Sequence, residues 1–471
     1  MNNEELLRKY NVPGPRYTSY PTVPYWETSP TQDEWIASVA RSLTGEESPA
    51  DSGMERQECG AAVYVHVPFC SHSCLYCGCN TRFTRDYKMA HGYVASVLKE
   101  WDLYLDLLAK KDARLARPKA VKLSELHVGG GTPTYLSPED LKVLLGGIID
   151  RCERDPQAEF SIEADPRVTK RGHLQALRQL GFTRLSLGIQ DFDPQVQETV
   201  RRVQDEALVR GVTETARELG YTSVNYDLIY GLPRQTLASV TDTIEAVRRL
   251  KPDRIAFYSY AHVPWIKPAH RRWSDADIPS GDAKRALYET GRRLLAEAGY
   301  REVGMDHFTL ESDALWKSSR EGKLHRNFMG YITRQVSPLI GLGVSSIGDS
   351  WNVFAQNEKV LEMYDSRLAK GELPLHRGHV LTAEDRVLRY HILKLMTRFE
   401  TSWENPALRV PFMDTLAERL EELVNDGLVE LTATGARITG AGRPFVRNVC
   451  MAFDARLVRK APTTSLFSKA I

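Results

Sequence analysis

No stretch of this chain approaches the about eighteen consecutive apolar residues that a membrane-crossing helix needs. No membrane partner is therefore expected. Charge of one sign is also missing. The formal net charge is +1 over 471 residues, with no basic stripe. That argues against a dedicated nucleic-acid binder. The opening MNNEELLRKY is polar and acidic and does not read as a signal peptide. Seven cysteines, an odd number, leave no complete disulfide set, and a reducing, cytoplasmic setting is expected. The spaced glycines of a dinucleotide-binding turn are absent as well.

Against these absences stands one dense feature. Cys70, Cys74 and Cys77 lie in HVPFCSHSCLYCGCN, directly after the apolar run Ala62–Val67, which reads as a buried strand ended by Pro68. Soft thiolates in one loop suit a zinc ion or an iron–sulfur cluster. Three thiolates on a four-iron cluster would leave one iron open to a ligand. Cys79 is a fourth thiol that would close the site. No second Cys/His pair follows at the spacing of a structural zinc knuckle, so zinc is the weaker reading.

Downstream the chain alternates strand and helix. Apolar or alternating runs at 126–128, 160–163, 185–189, 224–229 and 255–260 predict five more strands. Leu237, Val240, Ile244, Val247 and Leu250 keep helical spacing between two of them. Six such units predict an α/β fold, a parallel sheet covered by helices, open or closed as a partial (β/α)6-type barrel. Function in such folds gathers at the C-terminal ends of the strands. The residues that end these strands are chemically distinctive. HVGGGTPTYL follows the second, and its glycines would let a ligand approach the backbone or simply make a tight turn. Glu163 ends the third, either a ligand contact or a surface carboxylate. Gln190 and Asp191 follow the fourth. Asp227 lies inside the apolar fifth, where a charge needs a ligand or an internal ion pair.

Three regions are expected. Residues 1–60 form an N-terminal arm and linker with little periodicity, whose polar stretch 44–58 reads as mobile. Residues 61–375 form the barrel. Residues 376–471 form a mostly helical, winged-helix-like C-terminal domain; its acidic residues favour a packing role over DNA binding. The arm segment GPRYTSYPT (14–22) reads as too polar for core and suited to closing over a substrate.

Together the CxxxCxxC loop, the Gly-Gly-Thr-Pro turn and the strand-end Glu resemble the radical S-adenosylmethionine (SAM) superfamily. Within it, GPRYTSYPT, NYDLIYGLP, YAHVPW, GMDHF, LHRNFMGY, LIGLGVSSI and RNVCMAFD resemble the oxygen-independent coproporphyrinogen III dehydrogenases (oxidases), over nearly the whole chain. The resemblance implies one [4Fe-4S] cluster on Cys70, Cys74 and Cys77, with Cys79 not a ligand. It implies a first SAM near Tyr64, Gly130, Glu163 and Ile347. A second SAM would meet Tyr76, Gly131, Thr132, Gln190, Arg202, Asp227 and Ala261. Tyr64, Glu163, Phe328 and Met329 become the candidate catalytic residues. Tyr76 stands where Phe is common, and Met329 where some relatives carry Gln. The implied reaction removes a propionate β-hydrogen with a 5′-deoxyadenosyl radical and releases carbon dioxide. Two rounds convert coproporphyrinogen III to protoporphyrinogen IX, in haem biosynthesis. The side chains supply no oxidant of that strength, so a cofactor must carry the step. The implied partners are the porphyrinogen, a flavodoxin- or ferredoxin-type electron donor and an electron acceptor the sequence does not name. A monomer is expected. Arg16, His325 and Arg326 are candidates for holding the substrate carboxylates. The same cofactor motifs would serve a methyltransferase, a haem-degrading enzyme or a haem chaperone; the GPRYTSYPT arm favours the dehydrogenase.

Overall fold

A computed structural model describes residues 3–46, 58–265, 267–274, 276–461 and 466–467. Most of the 44–58 stretch, expected to be mobile, lies outside the described residues. The core is a sheet of twelve strands: β1 (Glu58–Val67), β2 (Lys122–Gly130), β3 (Glu153–Ala164), β4 (Arg184–Gln190), β5 (Ser223–Tyr230), β6 (Arg254–Ser259), β7 (Arg301–Gly304), β8 (His307–Thr309), β9 (Val336–Leu342), β10 (Ile347–Asp349), β11 (Val353–Asn357) and β12 (Leu375–Val380). The spatial order is β12-β11-β10-β9-β1-β2-β3-β4-β5-β6-β8-β7. Strands β1 to β6 pair in parallel in chain order, and β9 joins β1 in parallel on the other side. The terminal strands β12 and β7 are not paired with each other, so the sheet is an open, partial barrel.

The period-two alternation of each strand decides what faces where. On β1 Val63, Val65 and Val67 are fully buried, and on β2 to β5 so are Leu126, Val128, Phe160, Ile162, Leu187, Val224 and Leu228. These join the main apolar cluster with residues of the covering helices, among them Val97, Leu144, Leu177, Val209 and Ile244. The intervening positions carry His127, Ser161, Glu163, Ser186, Asn225, Asp227 and Tyr258. Together they line a cavity of about 180 Å³ inside the sheet's curve. One pattern thus gives an apolar outer face for helices and a polar inner face for chemistry.

The arm departs from its expected character. Helix Gln32–Thr44 is closed by a capping box between Thr31 and Glu34 and ends at Gly45 in the left-handed conformation. Its Trp35 is fully buried and donates to the Tyr104 hydroxyl at 2.9 Å. Tyr17 and Tyr20, expected to be too polar a setting for core, are 1% and 2% exposed. They pack in a second apolar cluster with Leu388, Leu395, Leu420, Phe445 and Val449 of the C-terminal helices. Tyr17 also donates to Asp454 at 3.1 Å. The arm divides between two surfaces: the tyrosines go into that core, while Arg16 and Thr18 line a cavity at the barrel mouth.

C-terminal to β12, helix Ala383–Arg398 starts at a capping box of Thr382 and Asp385. Strands Glu400–Ser402, Val429–Leu431 and Gly435–Ile438 form a small antiparallel sheet beside helices Leu416–Asn425 and Val446–Ala452. Among the described residues no helix is long and apolar enough to cross a membrane.

Candidate radical SAM active site

The thiol loop is held to the sheet by backbone. Gly131 N–H donates to Val67 carbonyl at 2.8 Å and Thr132 N–H to Phe69 carbonyl at 2.9 Å. Only glycine fits this contact. Gly130 adopts φ +117°, and a Cβ on Gly131 would lie 2.7 Å from the Pro68 carbonyl oxygen. The triple glycine is therefore the seat on which the loop rests.

The loop's thiols sit in distinct surroundings. Cys70 Sγ is 3.4 Å from Thr132 Oγ1, and burial pushes its thiol up to about 11. Cys77 is drawn down to about 6, chiefly by a hydrogen bond from Cys79. Cys74 Sγ accepts from Arg167 Nη2 at 3.4 Å and from Arg202 Nη1 at 3.5 Å. Both arginines also hold Asp165. Burial alone would raise that carboxyl, but the Arg202 and Arg167 guanidiniums keep it at about 2. Two buried cations thus face a loop that becomes anionic once its thiols are ionised.

On the inner face, Glu163 Oε2 accepts from Gly130 N–H at 3.1 Å, and His127 Nε2 lies 3.6 Å from Glu163 Oε1. Tyr64 stacks on His127, centroids 5.9 Å apart, and its hydroxyl is 3.1 Å from His66 Nδ1. Asp227 accepts from Ser186 Oγ and Asn225 Nδ2, both at 2.9 Å. Burial, reinforced by Glu163, raises its carboxyl to about 6. Gln190 ends β4 at a register shift with φ +71°, and its side chain and that of Arg202 converge over Gly188. A second cavity of about 530 Å³ opens at the strand ends. Tyr64, Glu163, Gly130, Cys79, Phe328, Met329 and Ile347 line it, with Arg16, Thr18 and Arg326 among the others.

A protein-family model described as the radical SAM superfamily matches residues 64–247. An oxygen-independent coproporphyrinogen III oxidase of Escherichia coli strain K12 is 39% identical over 467 residues, covering 97% of this chain and 96% of that one. The chain belongs to the oxygen-independent coproporphyrinogen III oxidase family. A relative of the same name from Synechocystis is 37% identical, covering 99% of this chain and 97% of that one. A solved structure of coproporphyrinogen III oxidase from Escherichia coli, described as a radical SAM enzyme, matches with TM-score 0.84 at 37% identity. It covers 93% of this chain and 97% of that chain.

Membership of this oxidase family brings a [4Fe-4S] cluster and SAM. The residues present fit both. Among the described residues no three Cys, His, Asp or Glu side chains converge tightly enough to grip one metal ion. A four-iron cube spreads three thiolates over three different irons, so its ligands stand wider apart than those of a zinc ion. The all-sulfur donor set of Cys70, Cys74 and Cys77, with two arginines against it, suits an anionic iron–sulfur cube. For SAM, Glu163 offers a carboxylate on the cavity wall beside a seat no side chain fills.

Most residues expected at the oxidase site are gathered around the barrel mouth. Tyr64, Gly130, Glu163, Phe328, Met329 and Ile347 share the larger cavity. Thr132 and Arg202 touch the thiol loop at Cys70 and Cys74, Gln190 lies beside Arg202, and Tyr76, within the loop, packs beside Val196, Val200, Leu232 and Tyr260. Ala261 follows β6 and is exposed. Two expectations change. Asp227 is held by neutral donors rather than by an ion pair, because its strand neighbours are Asn225 and Ser186. His325 is buried at 9% exposure, and burial pushes its imidazole down to about 3, so it carries no charge for a carboxylate at neutral pH. Sequence reading passed over His127, Asp165 and Arg167. Asp165-Pro166-Arg167 directly after a predicted strand end was the available signal.

Proposed function

We propose that this chain converts coproporphyrinogen III to protoporphyrinogen IX without oxygen, as its curated relatives are named to do. The observation that carries this is a three-thiol loop that reaches a 530 Å³ chamber through Cys79 and Asn80, with the arm's Arg16 and Thr18 also in the lining. The chamber is in the usual size range for sites that enclose a sizeable ligand. When bound, the cluster and SAM supply a one-electron cleavage that yields a hydrogen-abstracting radical. In each propionate a β-hydrogen leaves, the carboxylate departs as carbon dioxide, one electron passes to an acceptor and the vinyl double bond forms. A one-electron acceptor of unspecified identity is therefore required in each round. A flavodoxin- or ferredoxin-type donor fits the reductive half.

The chain's own residues bind, orient and exclude water. Glu163 would hold the ammonium of the first SAM, opposite Ile347, with Tyr64 and His127 stacked beside it. A second SAM is proposed against Tyr76, Gly131, Thr132, Gln190, Arg202, Asp227 and Ala261. Phe328, wedged edge-on to Trp26 and Phe354, and Met329 form an apolar wall that would shield a substrate radical from solvent. We read 61–375 as the catalytic domain, with 1–60 and 376–471 forming its cover. A monomer and a cytoplasmic setting, which suits the free thiols, complete this reading.

Anaerobic turnover with reductant and SAM, read by product mass, tests the assignment. Loss of two carbon dioxide equivalents with two vinyl groups formed is expected; a methylated or ring-opened product would replace it by another radical chemistry. Cys70→Ser, Cys74→Ser and Cys77→Ser should each lose the cluster's absorption and iron, whereas Cys79→Ser keeps them. Zinc rather than iron after anaerobic reconstitution would overturn the cluster assignment.

A further inference from the structure

Among the described residues, one cation at the chamber has no counter-ion. Arg326 sits on the short strand His325–Asn327 and is 3% exposed. Its Nε and Nη1 have no hydrogen-bond partner, although both are buried. Its Nη2 donates to the Arg16 carbonyl at 3.3 Å, and its guanidinium lies over the Tyr331 ring, 4.6 Å from the centroid. Tyr331 is itself fixed by donating to the Met396 carbonyl at 2.7 Å. Arg16, in the same cavity lining, is paired with Asp306. Glu163, on another part of the lining, is engaged with Gly130 and His127. Arg447 fixes the arm here, donating to the Gly14 and Pro15 carbonyls. Arg16 is therefore paired within the protein while two nitrogens of Arg326 are not, at the wall of a chamber large enough for a ligand. Leaving a buried cation unpaired is costly, and a forked guanidinium is best satisfied by a carboxylate.

We propose that Arg326, supported by Arg16, is an anchoring subsite for the carboxylates that the substrate keeps. This rests on the reading above, in which a tetracarboxylate loses two carboxylates and retains two. The distinction is chemical. A carboxylate that departs as neutral carbon dioxide gives up its negative charge, and a guanidinium clamped on it would stabilise the starting state and oppose that loss. A rigid, buried arginine suits a carboxylate that does not react. The subsite would hold one side of the macrocycle while a propionate elsewhere meets the radical.

Protoporphyrin IX, which carries two surviving carboxylates and no reactive propionate, and its dimethyl ester are the probes. Fluorescence-quenching titrations use the anaerobically reconstituted full chain. The wild type should bind the free acid about tenfold or more tightly than the ester, and Arg326→Gln should erase that preference while keeping its iron. An Arg326→Gln variant that retains the full preference, or a wild type with none, overturns the subsite. Should Arg326→Gln fail to hold its cluster, Arg326→Lys decides. It keeps the charge but loses the fork, so the preference should fall severalfold, and an unchanged preference overturns the proposal. The two readings fail separately. Correct turnover with an Arg326-independent preference removes only the subsite. A wrong product with an Arg326-dependent preference removes only the reaction.

Discussion

At the scale of single residues, two carboxylates on the inner face, two strands apart, carry opposite expectations. Glu163 gains its role by contact: it accepts from Gly130 N–H and faces the chamber. Glu163→Gln should keep iron but slow 5′-deoxyadenosine release by about tenfold or more, the worth of one hydrogen bond to a charged group. Unchanged release would leave Glu163 with the backbone bond alone. Asp227 instead pays for its place. Its carboxyl titrates at about 6 in the folded chain, above its ordinary 3.8. The folded state therefore holds that proton more tightly than the unfolded one. The resulting penalty is absent below about pH 4, grows as pH rises through 6 and is complete above it. Asp227→Asn should thus raise the denaturant midpoint at pH 7 by the equivalent of about 1–2 kcal/mol and leave it unchanged at pH 4. The same variant should turn over poorly if the carboxylate meets the second SAM. Normal turnover would remove Asp227 from that site.

At the scale of elements, the arm is both wall and core. Arg16 and Thr18 reach the chamber, while Tyr17 and Tyr20 anchor the arm among the C-terminal helices. Deleting residues 1–22 is therefore not a clean removal of a lid. It should spare the cluster, abolish decarboxylation and also loosen helices Ala383–Arg398 and Val446–Ala452, seen as faster proteolysis there. The point variants separate the effects. Tyr17→Ala should cost about 3 kcal/mol of stability, as a large buried aromatic does. Tyr17→Phe, which loses only the bond to Asp454, should cost about 1 kcal/mol. Equal midpoints for Tyr17→Ala and wild type would show that the arm is not part of the core. The Thr31–Glu34 capping box was readable as S/T-x-x-E, and it marks the one arm helix that packs on the barrel. Tyr17 and Tyr20 were not readable, since a nine-residue segment without helical or strand period gives no face to assign.

At the scale of the whole molecule, buried ionisable groups set the pH range of stability. Burial raises Glu100 and Glu125 to about 7 and Asp191 and Asp454 to about 6. Each costs stability progressively as pH rises from about 4 to its folded value, and the cost is complete above that. Burial lowers His307 and His391 to about 4 and His325 to about 3. The unfolded chain takes up those protons near pH 6.5, so these groups cost stability as pH falls below it. The two sets oppose each other between about pH 4 and 7, and above about pH 7 neither changes further, so together they predict a flat stability there. Denaturant midpoints at pH 5, 6.5 and 8 on anaerobic protein would measure it. Glu100→Gln should remove that residue's share of the loss between about pH 4 and 7, because Glu100 is fully buried between Gly343 N–H, Tyr364 and Asn357. A midpoint still rising at pH 8 would contradict this balance.

What the sequence determined by itself is local. Period-two alternation placed the parallel strands, the end-of-strand residues Glu163 and Gln190 and the thiol loop, because strand faces and turns are written in consecutive residues. The spacing of Cys70, Cys74 and Cys77 likewise needs no tertiary information. What only the tertiary structure decided is pairing between distant segments. Arg167 and Arg202 meet Cys74 across 93 and 128 residues of chain. Arg16 and Arg326 meet across 310. Whether a charge is satisfied depends on which other elements close over it, and that is how Asp227 found neutral partners, His325 lost its charge and Arg326 was left, among the described residues, without a counter-ion.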